Sequence, residues 1–219
     1  MRLLIKFPTR GRPEKFLKTL TKYINYLDDK STEIIVSCDN DDTSMCNDHV
    51  KEVIAQYSNV KVFYGPNKNK IEAINADLSG VEFDIILLAS DDMLPAIKGF
   101  DSIIKNKMIG HYPDTDGVLW FNDGYQGDKL NTLCILGKKY YDRFGYIYHP
   151  EYKSVWCDNE FMDIANILEK QTYFSYVIIR HEHPDWGFGD NDEIHSANIR
   201  NGSHDSNLYN IRKTNNFGL

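Results

Sequence analysis

The chain has only four cysteines in 219 residues, Cys38, Cys46, Cys134 and Cys157, and no two of them form a CxxC pair. That spacing argues against structural zinc and points to free thiols. Long apolar runs are missing too, since no stretch approaches the roughly 18 residues of a membrane span. The opening MRLLIKFPTR loses its apolar character within a few residues, at Pro8, Thr9 and Arg10, and reads as a buried strand rather than a signal peptide. Positive charge is in deficit, with 25 Lys and Arg against 32 Asp and Glu and a formal charge of −7. A footprint on nucleic acid or on an anionic membrane needs clustered Lys and Arg, so no nucleic-acid partner is expected. These absences suggest a cytoplasmic protein that can still meet a membrane peripherally. A Gly-rich phosphate loop is absent as well. Neither GxGxxG nor GxxxxGK followed by Ser or Thr comes after the first strand, which counts against a dinucleotide enzyme or a P-loop NTPase.

What is present is an alternation. Apolar runs at Leu3 to Phe7, Ile34 to Cys38, Val60 to Tyr64 and Ile85 to Ala89 each end in a polar turn. Between them Phe16, Leu17, Leu20, Ile24 and Leu27, and then Val50, Val53, Ile54 and Tyr57, recur at helical spacing. Pro13 suits a first helical turn. The pattern predicts a mostly parallel sheet with crossover helices in one α/β domain. Beyond about residue 110 the texture is less regular. Strands are expected at Gly117 to Phe121, Thr132 to Leu136 and Tyr173 to Arg180, and a helix near Asn159 to Glu169. The polar tail, 188–219, is expected either as a helix packed back on the body or as a lid.

Ligands of parallel α/β sheets bind beyond the carboxyl ends of the strands, where loops and helix N-termini converge. Those ends carry Pro8 to Arg12, Asp39 to Asp42, Asn67 to Lys70, and Ser90, Asp91 and Asp92. Carboxylates and cations on one rim suit a nucleoside diphosphate held together with a divalent metal. FDIILLASDDM is the most telling segment, because a strand buried on both faces forces its two terminal acids to the sheet's edge. The plainer alternative is an Asp-rich turn capping the next helix.

These motifs resemble the family-2-like glycosyltransferases of the GT-A fold. The matches run in order through FPTRGRPEKF, IIVSCDNDD, GPNKNKIEAINADL and LLASDDM, then SVWCDNEFMDIA and RHEHPDWG. The resemblance implies a nucleotide-sugar-binding half over about 1–110 and an acceptor half over about 111–187. It implies that Pro8, Thr9, Arg10 and Arg12 wrap the nucleoside and phosphates, that Asp39 with Asp41 addresses base or ribose, and that Lys70 lies near the donor. The family's metal motif is commonly Asp-x-Asp. Ala89, Ser90 and Asp91 stand there, so the first acid is missing; Asp91 is the expected Mn2+ or Mg2+ ligand, and Asp92 with Ser90 a neighbouring contact.

By the same resemblance His183 is a further candidate ligand, as a histidine of this region is in some GT-A enzymes. His181 stands two residues before it, and only one of the two histidines is expected to coordinate. Asp158 is the candidate general base toward an acceptor hydroxyl, with Glu160 as the alternative; the competing role for both is helix capping. Trp120, Trp156 and Trp186, with Tyr125, Tyr146 and Tyr148, are either sugar-stacking planes or core. Arg212 and Lys213 could fold over the diphosphate, or lie solvated in a loose end. The implied activity is inverting transfer of a sugar from a nucleotide-sugar donor to a hydroxyl-bearing acceptor. The rivals are a sugar-1-phosphate nucleotidylyltransferase, whose Gly-rich N-terminal signature is not apparent, and a catalytically silent nucleotide-sugar or carbohydrate-binding protein.

Overall fold

The computed structural model describes residues 1–182 and 201–219. Seven strands form one sheet in the order β3-β2-β1-β4-β7-β6-β8. They are β1 (Leu3–Thr9), β2 (Glu33–Asp39), β3 (Val60–Gly65), β4 (Ile85–Leu88), β6 (Val118–Phe121), β7 (Ile135–Gly137) and β8 (Gln171–Phe174). Only β7 runs antiparallel to its neighbours β4 and β6; the other pairs are parallel.

Alternate side chains of these strands enter two cores. Leu3, Ile5 and Phe7 with Ile34, Val36 and Cys38 pack against α1 (Pro13–Tyr26), α2 (Asp48–Ala55) and α4 (Phe100–His111). Leu4, Ile35, Ile86 and Leu88 pack against α3 (Lys70–Asn75), α5 (Lys138–Asp142), α6 (Cys157–Ile167) and α7 (Gly202–Thr214). A sheet covered on both faces explains the nearly unbroken apolar runs of β1, β2 and β4. Pro13 stands in the first turn of α1, as expected.

One expectation is corrected. The apolar run from Tyr173 to Arg180 is not one strand but two, β8 in the main sheet and β9 (Ile179–His181) in a separate ribbon with β5 (Met93–Pro95). The chain leaves the main sheet after Phe174, and β9 pairs antiparallel with β5 so that His181 stands opposite Met93. Tertiary pairing decides this break, since the residue pattern through it stays strand-like. The ribbon carries His181 to Asp92, just beyond the end of β4.

A cation lies in the second core. Lys6, fully buried in the middle of β1, donates to Ser37 Oγ and, at 2.7 Å, to the carbonyl of Ala76 at the C-terminus of α3. Ser37 in turn donates to Asp77, whose carboxylate is 3.9 Å from the ammonium. Burial pushes Lys6 down to about 8, with Asp77 and Cys38 opposing the shift. The unfolded chain therefore holds this proton more tightly between pH 8 and 10.5, and the cost of burying the charge is relieved as pH rises through that window. Unfolding free energies of the native chain minus those of Lys6→Met are expected to rise between pH 8 and 10 by on the order of 2 kcal/mol. Denaturant titrations showing a pH-independent difference would contradict this.

Candidate functional site

The carboxyl ends of β1, β2 and β4 build one rim. After β1, Thr9 is 8% exposed and its Oγ1 has no hydrogen-bond partner among the described residues. A buried hydroxyl at a loop mouth is costly unless a ligand or water meets it. Arg10 is tied to the end of β2, with Nη1 2.5 Å from Asp39 Oδ2 and 2.6 Å from Asp41 Oδ1. Asp42 accepts the Gly11 N–H at 2.6 Å and closes its own turn through Ser44. The acids of β2 thus hold the loop after β1 in place.

Asp91 and Asp92 diverge. Asp91 turns toward α1, 3.2 Å from Arg12 Nη1 and 3.7 Å from Lys15 Nζ, while its carbonyl accepts from Thr19 Oγ1 at 2.9 Å. Burial and Asp92 push its carboxyl up against the pull of Arg12 and Lys15. Asp92 turns the other way. It accepts from Ser90 Oγ, and its Oδ2 lies 3.7 Å from His181 Nε2. Burial pushes Asp92 up, but His181, Ser90 and Lys70 outweigh it and hold the carboxyl well below the usual carboxylate range.

The β5–β9 ribbon supplies the far wall. His181 Nδ1 lies 3.9 Å from the buried Asp123, which accepts the N–H groups of Tyr125 and Gln126 and the Thr132 hydroxyl. Backbone bonds tie the same corner, from His181 N to Asp123 O at 2.9 Å and from Glu182 N to Asp92 O at 2.7 Å. Neither His181 nor Asp123 stood out as a site residue in the sequence. The turn signal Asn122-Asp123-Gly124 was the only available hint for Asp123. His183 and Trp186 lie outside the described residues.

Asp158, in the first turn of α6, lies within electrostatic reach of Lys70 and His181. It is partly exposed, yet desolvation by its surroundings pushes its carboxyl up, opposed by the charges of Lys70 and His181 and by the Asn159 N–H. Lys70 acts on both Asp92 and Asp158. It opens α3, whose cap is reciprocal: Asn69 accepts from Glu72 N, while Glu72 accepts from Asn69 Nδ2 at 3.3 Å and from Lys68 N at 3.0 Å. The other end of α3 grips the segment that leads to α6, because Asn75 bonds the backbone of Ile147 and Tyr148.

The remaining candidates resolve structurally. Glu160, 2% exposed, is gripped by Arg212 at 2.8 and 2.9 Å and by the Tyr152 hydroxyl at 2.8 Å. Both its oxygens are engaged in a two-pronged guanidinium pair. Arg212 is therefore not over the rim, and Lys213 pairs with Asp163 at 2.9 Å. Of the two expectations for the tail, the helix packed on the body is the observed one for residues 202–214. Trp120 and Tyr148 are core. Trp156 holds a left-handed backbone, φ 65°, immediately before α6, with its ring 5.2 Å from that of Tyr209. A bulky residue there costs about 1–3 kcal/mol and persists only where neighbours enforce it.

Among the described residues no three His, Cys, Asp or Glu side chains form a ready-made metal cluster. The rim nonetheless fits a hard cation of the magnesium or manganese kind. Such ions bind through one or two carboxylates and take their other ligands from substrate phosphates and water, and ionised Asp92 offers such a donor. No helix among the described residues is long and apolar enough to cross a membrane.

No protein-family model and no curated protein matches the chain. Solved structures do. TarS of S. aureus, residues 1–349, superposes with a TM-score of 0.63 at 16% identity over 82% of this chain and 60% of that one. The same protein in complex with UDP-GlcNAc gives 0.63 at 15% identity, over 82% and 58%. The mannosyltransferase PcManGT from Pyrobaculum calidifontis, in complex with GDP-Man and Mn2+, gives 0.65 at 13% identity, over 85% and 58%. The chain thus spans about three-fifths of the length of these structures. The likeness establishes the fold expected from the motifs, GT-A, with a mostly parallel sheet flanked by helices.

Proposed function

We propose that the chain is a glycosyltransferase that moves a sugar from a nucleoside-diphosphate sugar to an acceptor hydroxyl, with a divalent cation, Mn2+ or Mg2+, and inversion at the anomeric carbon. One arrangement supports this reading: at the strand-end rim Asp92 lies 3.7 Å from His181, and the charges of Lys70 and His181 act on both Asp92 and Asp158. The fold is one whose solved examples include complexes with UDP-GlcNAc and with GDP-Man and Mn2+.

In this reading Asp92 is the protein ligand of the cation, oriented by Ser90 and His181. Asp91 is a strut that fixes Arg12 and α1. When bound, the cation stabilises the charge that develops on the departing diphosphate. Lys70 adds positive charge on the same side, Thr9 Oγ1 meets the nucleotide, and the bundle of Arg10, Asp39 and Asp41 borders the base and ribose. Asp158 takes the proton of the acceptor hydroxyl as its oxygen bonds to the anomeric carbon and the bond from that carbon to phosphate oxygen breaks. The nucleoside diphosphate leaves from the opposite face. Glu160 takes no part, because Arg212 and Tyr152 occupy it.

A second reading, a nucleotide-sugar binder without chemistry, is favoured by Ala89, which stands where the related motif carries its first acid. Thermal melts with UDP-, GDP- and dTDP-sugars, with and without Mn2+ or Mg2+, test the proposal. At least one donor should raise the melting temperature, and by more when metal is present. No stabilisation by any of them would contradict both readings, whereas stabilisation without release of sugar would favour the second.

A further inference from the structure

The loop that launches α6 is held by the opposite end of the chain. Asp205, fully buried in the first turn of α7, accepts the backbone N–H groups of three consecutive residues, Lys153 at 3.1 Å, Ser154 at 2.9 Å and Val155 at 2.9 Å. Ser154 and Val155 share Oδ2, while Oδ1, the acceptor for Lys153, also lies 2.9 Å from His204 Nδ1. The next residue is Trp156, in its left-handed conformation and packed on Tyr209 of the same helix. Two residues farther on stands Asp158.

Three successive N–H groups converging on one carboxylate fix the path of a loop closely, because a small shift of the backbone would break several charge-assisted bonds together. Other contacts between α6 and α7 start from α6 itself, Glu160 of its first turn with Arg212 and, farther along, Asp163 with Lys213 and Tyr209, and set how the helices pack. Asp205 acts instead on the residues immediately before Asp158. It also stands well away from the rim elements β1, β2 and β4 in sequence, and bonds none of their side chains among the contacts described.

We infer that Asp205 is a positioning residue for the reaction: by clamping residues 153–155 it enforces the strained turn at Trp156 and thereby aims the Asp158 carboxylate. The inference rests on Asp158 being the base. It makes α7 part of the catalytic apparatus without any contact to substrate. Loosening the clamp should impair proton removal while leaving the donor site, built on other elements, intact.

The test uses the full chain with Mn2+ and the UDP-, GDP- or dTDP-sugar that stabilises it, and reads release of free sugar, with water as acceptor, beside donor affinity. Asp205→Asn should lower kcat about tenfold or more with donor Kd unchanged within twofold, and should raise amide hydrogen exchange over residues 153–158. Lys213→Ala, which loosens the same helix pair elsewhere, should leave kcat within twofold. Asp205→Glu, which keeps the charge, should lie between Asp205→Asn and the native chain, and it carries the comparison if the Asn variant does not fold. Parallel loss of kcat and donor affinity would reduce Asp205 to a folding residue and overturn the inference. Native kcat in Asp205→Asn would overturn it too, provided Asp158→Asn is inactive; an active Asp158→Asn would instead overturn the reading of the base.

Discussion

Asp158→Asn is expected to bind the nucleotide-sugar donor with native affinity and to turn it over at least about a hundredfold more slowly, the usual contribution of a placed general base. Asn keeps the size and removes the proton acceptor, so fold and donor binding should survive. The pH profile carries a second signature. A base works only when deprotonated, so activity should fall as pH falls through the Asp158 pKa. Desolvation raises that pKa, opposed by Lys70 and His181, so the acid limb should lie above the roughly 3.9 of an ordinary aspartate. Initial rates from pH 4 to 9, for the native chain and for the residual activity of the variant, check both points. Native turnover in the variant would remove Asp158 from the mechanism.

Asp92→Asn should have the complementary effect. A cation neutralising the diphosphate would need an anionic ligand, and Asp92 is held ionised by His181, Ser90 and Lys70. Its loss should weaken donor binding on the order of a hundredfold in Mn2+, and leave the weaker metal-free binding nearly unchanged. Asp91→Asn is the informative contrast. Asp91 faces Arg12 and Lys15, so its neutralisation should lower stability and disturb the loop after β1, with a smaller loss of metal dependence. Calorimetric titration of donor with and without Mn2+ separates the two acids. Equal loss of metal dependence in both would return Asp91 to the role of ligand.

The half of the molecule that builds the strand-end rim was legible in the residues themselves. The buried runs of β1, β2 and β4 have only one way to be covered on both faces, and their polar ends must then lie on one edge. Asp91 and Asp92 were legible as a pair, but not as a divergent one. Which acid turns toward α1 depends on Arg12, Lys15 and Thr19, some eighty residues earlier in the chain. His181 was passed over in favour of His183, although residues two apart on a strand share a face and alternation does not separate them. The break after Phe174 and the three-residue partner β5 moved it to Asp92, and three residues carry too little pattern to be recognised alone. Helix α4 was passed over in the same way, although Phe100, Ile104 and Met108 repeat at helical spacing. The pairing of Glu160 with Arg212 spans 52 residues and leaves no local trace. It converts two candidate site residues into a fastener between helices.

Crystals grown with Mn2+ and the stabilising nucleotide-sugar offer the most direct measurement, because manganese is located by its own anomalous scattering. The account predicts a single strong peak bonded to Asp92 and to diphosphate oxygens, with Asp91 still on Arg12 and the anomeric carbon turned toward Asp158. A peak remote from Asp92, or a donor whose anomeric carbon faces away from Asp158, would contradict it.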